Sequence, residues 1–519
     1  MESDHSRRDV LIAAGAAGIS MAAGPALAQT GSAPSAFAYR GARALVADLA
    51  AGQVSAVELT NQAIARIEAL DGKLNAVVVR DFENARAAAA DADAALARGE
   101  RKALLGVPMT VKEAFNVAGL PTTWGVPAAK GRLVADDAVT VARLKAAGAV
   151  ILGKTNVPLM LSDWQSYNDI YGQTNNPWDV TRTPGGSSGG AAAALAAGFV
   201  PLELGSDIGG SLRVPAHFCG VYAHKPTHSL IPTRGHVPPG ANALPVEVDL
   251  NVVGPMARSA DDLALALEVL AGPDAPLATA YRLALPAPRH ESLKDFRVLV
   301  IDRHPLLPTG NAVRAALDRL TDNLAKAGAK VARSSPLVPD LALQGRTYQT
   351  LLTGFLGADM PIQAYERMRQ VAAGISKDDN SLDAVGARGW VLSHRDWIGA
   401  DRMRAGLAER WRVLFREFDV VVCPIMPTPA FPHDHDEPRS RRISIDGNHH
   451  PYLEQTMWPG VATLTGQPAT AVPLGRSEDG LPVGAQIVGP YLEDRTTILF
   501  AGLIEREFGG FVPPPGYAG

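Results

Sequence analysis

Two glycine-framed serine stretches and one lysine at the end of an apolar run are the residues of this chain whose spacing could do chemistry. Thr183-Pro184-Gly185-Gly186-Ser187-Ser188-Gly189-Gly190 sets paired serines among four glycines and runs on into alanine. Twenty-four residues after Ser187, Gly205-Ser206-Asp207-Ile208-Gly209-Gly210-Ser211 ends in another serine behind two glycines. Upstream, Gly106-Val107-Pro108-Met109-Thr110-Val111 delivers Lys112. A serine hydroxyl is a weak nucleophile until a neighbouring base takes its proton, and no histidine is placed by motif beside these serines. A lysine can take that proton only where burial favours its neutral form. Side-chain-free Gly209 and Gly210 let consecutive backbone N–H groups turn toward one point, as a developing oxyanion requires. Two rival readings fail on context. A phosphate loop needs Gly-Lys-Ser/Thr, and no lysine follows these glycines. Gly-x-Ser-x-Gly is matched at Ser187 and at Ser188, but an esterase-type elbow follows an apolar strand, whereas Asn175-Asn176-Pro177-Trp178-Asp179 and Thr183-Pro184 are turn residues.

The elements that must position these residues alternate strand and helix, which defines an α/β protein. The spacing predicts helices over 57–70 and 139–147, and strands over 104–111, 149–152, 199–204, 420–423 and 485–488. Residues 191–197 form a short alanine helix whose lack of bulk lets it press closely on neighbouring backbone. A Pro/Gly/Ala-rich break over 272–288 opens a less patterned stretch to about 410, read as helical, substrate-facing cover. Cys219 and Cys423, the only cysteines, cannot supply a disulfide framework or a cysteine-rich zinc site, and both read as buried apolar residues.

The chain has 519 residues, 47% hydrophobic and 20% charged, with a formal charge of -4. That is enough chain for a large core, and its near-neutral balance offers no attraction for nucleic acid. No apolar stretch of the mature chain approaches the roughly 20 residues of a membrane span. The segment "HDHDE" at 433–437, with His449 and His450 nearby, resembles a set of metal ligands but is Pro-flanked and reads as a solvated loop, so no metal and no cofactor is expected. At the N-terminus, Arg7-Arg8 precede an Ala/Gly-rich apolar run and Ala26-Leu27-Ala28, the order of a twin-arginine export signal over 1–28. The expectation is a periplasmic or secreted enzyme with a linker over 29–39 and a single domain over 40–519. Monomer or homodimer is left open.

Taken together, the three motifs resemble the core of the amidase signature family of serine hydrolases. The likeness continues through Gly153-Lys154-Thr155-Asn156, Tyr171-Gly172-Gln173-Thr174, Lys225-Pro226-Thr227, 254–259, 463–475 and 480–489. "DIGGSLRVPAHFCG" and "YGQTNNPW" look particularly like the fatty acid amide hydrolase and bacterial acylamidase branch. The resemblance implies an α/β fold with a central twisted mixed β-sheet covered by helices on both faces, and hydrolysis of a small-molecule amide, with esters and carbamates as neighbouring substrates. It implies a Ser-cis-Ser-Lys triad in which Ser211 attacks, Ser187 shuttles the proton and Lys112 is the base, with a cis peptide between Gly186 and Ser187. It places the oxyanion hole at the N–H groups of Ile208, Gly209, Gly210 and Ser211. It sets Thr183, Ser188, Asp207 and Arg213 around the triad, and Trp124, Leu161, Trp164 and Tyr167 along the acyl pocket. Glu113 departs from the aspartate that relatives commonly carry after the lysine. The catalytic subunit of a glutamyl-tRNA(Gln) amidotransferase shares this core and is the alternative reading.

Overall fold

A computed structural model describes residues 37–518, so the expected export signal lies outside the described residues. Eleven strands form one sheet: β1 (Val77–Arg80), β2 (Pro108–Lys112), β3 (Val150–Thr155), β4 (Leu202–Asp207), β5 (Tyr222–Lys225), β6 (Val252–Ala257), β7 (Arg297–Val300), β8 (Lys330–Ala332), β9 (Val420–Pro424), β10 (Ala469–Arg476) and β11 (Pro482–Val488). Their order across the sheet is β1-β3-β2-β4-β6-β5-β10-β11-β9-β7-β8. It is a mixed sheet: β2 runs parallel to both β3 and β4, and β9, β7 and β8 are mutually parallel, whereas β4, β6, β5, β10, β11 and β9 pair antiparallel in turn. Strands β2, β3, β4, β6, β9 and β11 are buried at every position, as strands covered on both faces must be.

Helices flank the sheet. The one over Ala56–Leu70 starts at a reciprocal cap in which Ser55 and Glu58 satisfy each other's backbone N–H. The alanine helix Gly189–Ala196 is buried at every residue. Its bulk is limited for a reason: a Cβ on Gly190 would collide with the backbone N of Asn156, just beyond β3.

Three expectations shift. The strand expected from residue 104 starts at Pro108, because Val107 N–H closes a turn onto the Leu104 carbonyl at 3.0 Å. The strand expected from 199 starts at Leu202 and extends to Asp207. Residues 198 and 199 instead terminate the alanine helix, with Gly198 left-handed at φ 70° and the Phe199 N–H on the Ala194 carbonyl at 3.0 Å. The stretch over 275–410 is more than helical cover, since β7 and β8 extend the sheet within it. Four and three residues long, they carry too little alternation to register as strands. The region also holds helices, of which Leu341–Gly357, with His394–Glu417, builds a second core around Trp411 and Trp458.

The close packing of the sheet is testable at glycines. On β6, a Cβ at Gly254 would collide with the His224 carbonyl and come within 2.8 Å of Pro226. Gly254→Ala should lower the unfolding free energy by about 1–3 kcal/mol. Gly406 lies exposed in the helix His394–Glu417 with nothing within 4 Å. Gly406→Ala should raise stability by up to about 1 kcal/mol. Denaturant midpoints of the two variants check both signs.

Candidate active site

Strand β2 carries Lys112 into the middle of the sheet's buried layer, where the side chain has no exposed surface. Its Nζ donates to Ser187 Oγ at 2.6 Å and to Ser206 Oγ at 2.9 Å. Burial pulls the ammonium from its ordinary value down to about 7, against a weaker upward pull from Asp207 and Glu203. Glu203, on β4, is itself pushed up to about 8 by burial despite hydrogen bonds from Thr110 and the Leu204 N–H, so it is mostly uncharged at neutral pH. The Asp207 carboxylate, itself paired with Arg213, does not restore the amine to the ordinary lysine range.

The peptide between Gly186 and Ser187 is cis. The loop fits there because Gly185, left-handed at φ 89°, passes against Pro215 with room for no Cβ. Ser188 N–H donates to the Ser211 carbonyl at 3.2 Å, which ties the paired-serine loop to the second serine loop. All three expected triad members are buried, Ser211 at 6% exposure, Ser187 at 1% and Lys112 at 0%; Lys112 bonds Ser187 directly, whereas Ser211 is joined to the paired-serine loop through its backbone carbonyl.

The second loop is held by its own charges. Asp207 accepts from Gly210 N–H, Leu212 N–H and two guanidinium nitrogens of Arg213. Burial alone would raise the Asp207 carboxyl, but Arg213 overrides it and leaves the group below its ordinary value. Every donor position of Arg213 is used: Nη1 reaches the Pro459 carbonyl and Gln486 Oε1, and Nη2 reaches Thr463 Oγ1 as well as Asp207. The Gly210 N–H, one of the four donors expected for an oxyanion, is thus committed to the Asp207 carboxylate at 2.9 Å.

The other expected residues divide. Thr183 Oγ1 accepts from Gly185 N–H and donates to the Trp164 carbonyl, and Ser188 Oγ donates to the Ser206 carbonyl. Trp164 reaches the second serine loop directly, its indole N–H donating to the Gly209 carbonyl at 3.0 Å. Trp124 is held by Glu113 and the Ala114 carbonyl and packs on His236, on the Lys112 side. Leu161 is half-buried in a left-handed backbone at φ 59°. The Tyr167 hydroxyl accepts from Arg441, and its ring stacks on His435 at 3.9 Å. Glu113 accepts from Thr123 N–H and Oγ1, Trp124 N–H and the Tyr171 hydroxyl. It pins the 122–124 turn and does not bond the serines. In the 433–437 segment, Gln165 clasps the Asp434 backbone at both N–H and carbonyl. Among the described residues no three His, Cys, Asp or Glu side chains are grouped to hold a metal. Cys219 and Cys423 are buried and free.

Four contributors were not singled out from the sequence. Ser206 lies beside Asp207 within a quoted motif, so its place at the end of a strand leading to the loop was the available signal. Thr463 and Gln486 lie inside the matching stretches 463–475 and 480–489, though nothing in those stretches marked them as partners of Arg213, and Tyr348, whose hydroxyl donates to the Ile208 carbonyl at 2.7 Å, had no signal because it arrives only through tertiary packing.

The chain matches the family model described as Amidase over residues 58–498. It belongs to the amidase signature family. The A component of the glutamyl-tRNA(Gln) amidotransferase of Anaeromyxobacter sp. (strain K) is 34% identical over 497 residues, covering 92% of this chain and 97% of that one. An indoleacetamide hydrolase of Bradyrhizobium diazoefficiens is 34% identical over 461 residues, covering 86% and 83%. Among solved structures, a protein from a vestigial complex tied to the origins of an s-triazine catabolic enzyme superposes with a TM-score of 0.76 at 30% identity, covering 91% of this chain and 100% of that one. A bacterial aryl acylamidase of the family shares the fold, with a TM-score of 0.75 at 24% identity over 92% of this chain and 97% of its own. This amidase signature chain is accordingly an amidase-type enzyme acting on C–N amide bonds.

Removing Arg213 would leave the Asp207 carboxylate buried without its cation. Arg213→Ala should cost about 3–5 kcal/mol in stability, measured as a drop in denaturant midpoint, whereas substitution of the exposed Arg410 by Ala should change it by less than about 0.5 kcal/mol.

Proposed function

We propose that this amidase hydrolyses a small-molecule carboxylic amide through an acyl-enzyme on Ser211, with Ser187 as proton shuttle and Lys112 as base. The observation that carries the reading is the Lys112 amine, fully buried, 2.6 Å from Ser187 Oγ and drawn down to about 7. A lysine at its ordinary value is neutral in about four molecules per ten thousand at pH 7. At about 7, roughly half are neutral.

In the proposed reaction Ser211 Oγ attacks the carbonyl carbon as its proton passes to Ser187 Oγ, and the Ser187 proton passes to Lys112 Nζ. The N–H groups of Ile208, Gly209 and Ser211 hold the oxyanion, Gly210 being engaged by Asp207. Collapse of the tetrahedral intermediate breaks the C–N bond, Ser187 donates its proton to the departing nitrogen, and Lys112 returns one to Ser187. Water then resolves the ester by the reverse relay. Protonation of the leaving nitrogen through Ser187 suits amides, whose amine leaves poorly as an anion. Trp164, whose indole reaches the Gly209 carbonyl, suits a hydrophobic or aromatic acyl group.

A second reading rests on the similarity to amidotransferase components, in which this chain would work as one subunit of a glutamyl-tRNA(Gln) amidotransferase. The paired arginines at 7 and 8 favour export and a free-standing hydrolase. The purified mature chain, assayed alone against anilides, aliphatic amides and carbamates, separates the two. Turnover without added partner proteins or tRNA supports the hydrolase, and activity only on their addition supports the amidotransferase.

Ser211→Ala should abolish turnover and labelling by a fluorophosphonate, and labelling of Ser187 in its place would overturn the assignment. Because the base works only when neutral, kcat/KM should rise with pH along a limb centred near about 7 and then level off. A rate falling as pH rises through that range would contradict lysine as base. Arg7→Lys with Arg8→Lys should leave the protein in the cytoplasm, as fractionation of cells would show.

A further inference from the structure

We propose that Tyr348 is a positioning residue for the oxyanion-binding N–H of Gly209, acting with Trp164 to lock two successive peptides of the nucleophile loop. The inference rests on the reading of Ser211 as nucleophile and adds a part that none of the signature motifs contains.

Gly209 and Gly210 are free to approach the substrate because they have no side chains, and for the same reason nothing intrinsic fixes their peptide planes. Two ring donors do so from outside. The Tyr348 hydroxyl donates to the Ile208 carbonyl at 2.7 Å, and the Trp164 indole donates to the Gly209 carbonyl at 3.0 Å. In a trans peptide the carbonyl and the following N–H point in opposite directions. The Gly209–Gly210 peptide is held at both ends, its carbonyl by Trp164 and its N–H by Asp207. The Ile208–Gly209 peptide is held at the carbonyl end by Tyr348, and its N–H, on Gly209, has no protein acceptor among the described residues. That N–H is therefore aimed by Tyr348 and left for a ligand oxygen.

The two braces are themselves fixed. Tyr348 is fully buried on the helix Leu341–Gly357, and its ring lies on Gly460, where a Cβ would come within 2.5 Å of it. The adjacent Pro459 abuts Gly210 and gives its carbonyl to Arg213. Burial and the nearby Asp207 charge push the phenol well above its ordinary value, so it remains a donor throughout the working pH range. Trp164 is secured through its own backbone N–H, which donates to the Tyr452 hydroxyl at 3.1 Å. That hydroxyl donates in turn to Asp163, which is ion-paired with buried Arg441 at 2.6 Å.

A donor that aims an oxyanion contact matters only when the oxyanion forms, so its loss should appear in kcat and not in KM. Tyr348→Phe keeps the ring on Gly460 and removes the hydroxyl. With an amide that the wild type hydrolyses, kcat should fall about tenfold, below the hundredfold or more of a deleted donor, with KM within about twofold. Affinity for a substrate-shaped trifluoromethyl ketone, which forms a tetrahedral adduct, should fall in parallel, while affinity for the carboxylate product stays unchanged. Trp164→Phe should show the same split and serves as the second variant should Tyr348→Phe not fold. A kcat within twofold of wild type, or equal losses of ketone and product affinity, would overturn the inference. Fluorophosphonate labelling of the wild type is read alongside. A label on Ser211 together with an unchanged Tyr348→Phe defeats the positioning role alone, whereas a label elsewhere defeats the nucleophile assignment and the inference with it.

Discussion

The arrangement depends on the expulsion of water from around a single amine. Lys112 is placed where the sheet is covered on both faces, and burial there, net of the opposing pull of Asp207 and Glu203, disfavours the ammonium by on the order of 5 kcal/mol, so a neutral amine is accessible near neutral pH. That condition restricts everything nearby. The strands on either side of β2 must be buried throughout, the neighbouring acid at 203 must itself be mostly uncharged, and the hydroxyls that meet the amine must come from loops small enough to reach it. The glycine and alanine content of 185–197 follows from that last requirement, since Gly185 and Gly190 sit where a Cβ would strike backbone.

Charge that cannot be neutralised is dealt with differently. Asp207 and Arg213 remain an ion pair with no exposed surface, and every donor of the guanidinium has an acceptor. A buried pair of this kind contributes little net stability compared with an apolar replacement, but losing one member is costly. Its role here is geometric. Asp207 gathers the N–H groups of Gly210 and Leu212 on either side of Ser211, so the loop is shaped by a carboxylate on its inner side. The dry surroundings that weaken the ammonium at 112 strengthen this pair.

Much of this was legible in the residues. The serine loops and the lysine are local motifs, each a few residues long, and the strand and helix that carry Lys112 and follow Ser188 announce themselves by burial pattern and by alanine. What could not be read is what arrives from a distance. Tyr348 sits 140 residues from the carbonyl it serves, on a helix whose sequence advertises only amphipathicity. The short strands β7 and β8 are fixed by their neighbours and not by their own alternation. Gly210 belongs to the expected set of oxyanion donors by motif, yet its N–H goes to Asp207, a competition between acceptors that three-dimensional proximity decides and sequence does not. The aromatic residues expected along the acyl pocket divide for a similar reason. A tryptophan's apolar bulk is visible in a sequence, whereas the destination of its indole N–H depends on which carbonyl lies opposite.

Arg213 also has a consequence for the order in which the molecule can be made. It joins Asp207 on β4 to the Pro459 carbonyl, Thr463 and Gln486 on β11. The second serine loop is thus braced by residues 246 to 273 positions further along the chain. A nascent chain cannot give the guanidinium all of its native acceptors until residue 486 has been made, so the bracing of this loop is completed only by the last part of the chain.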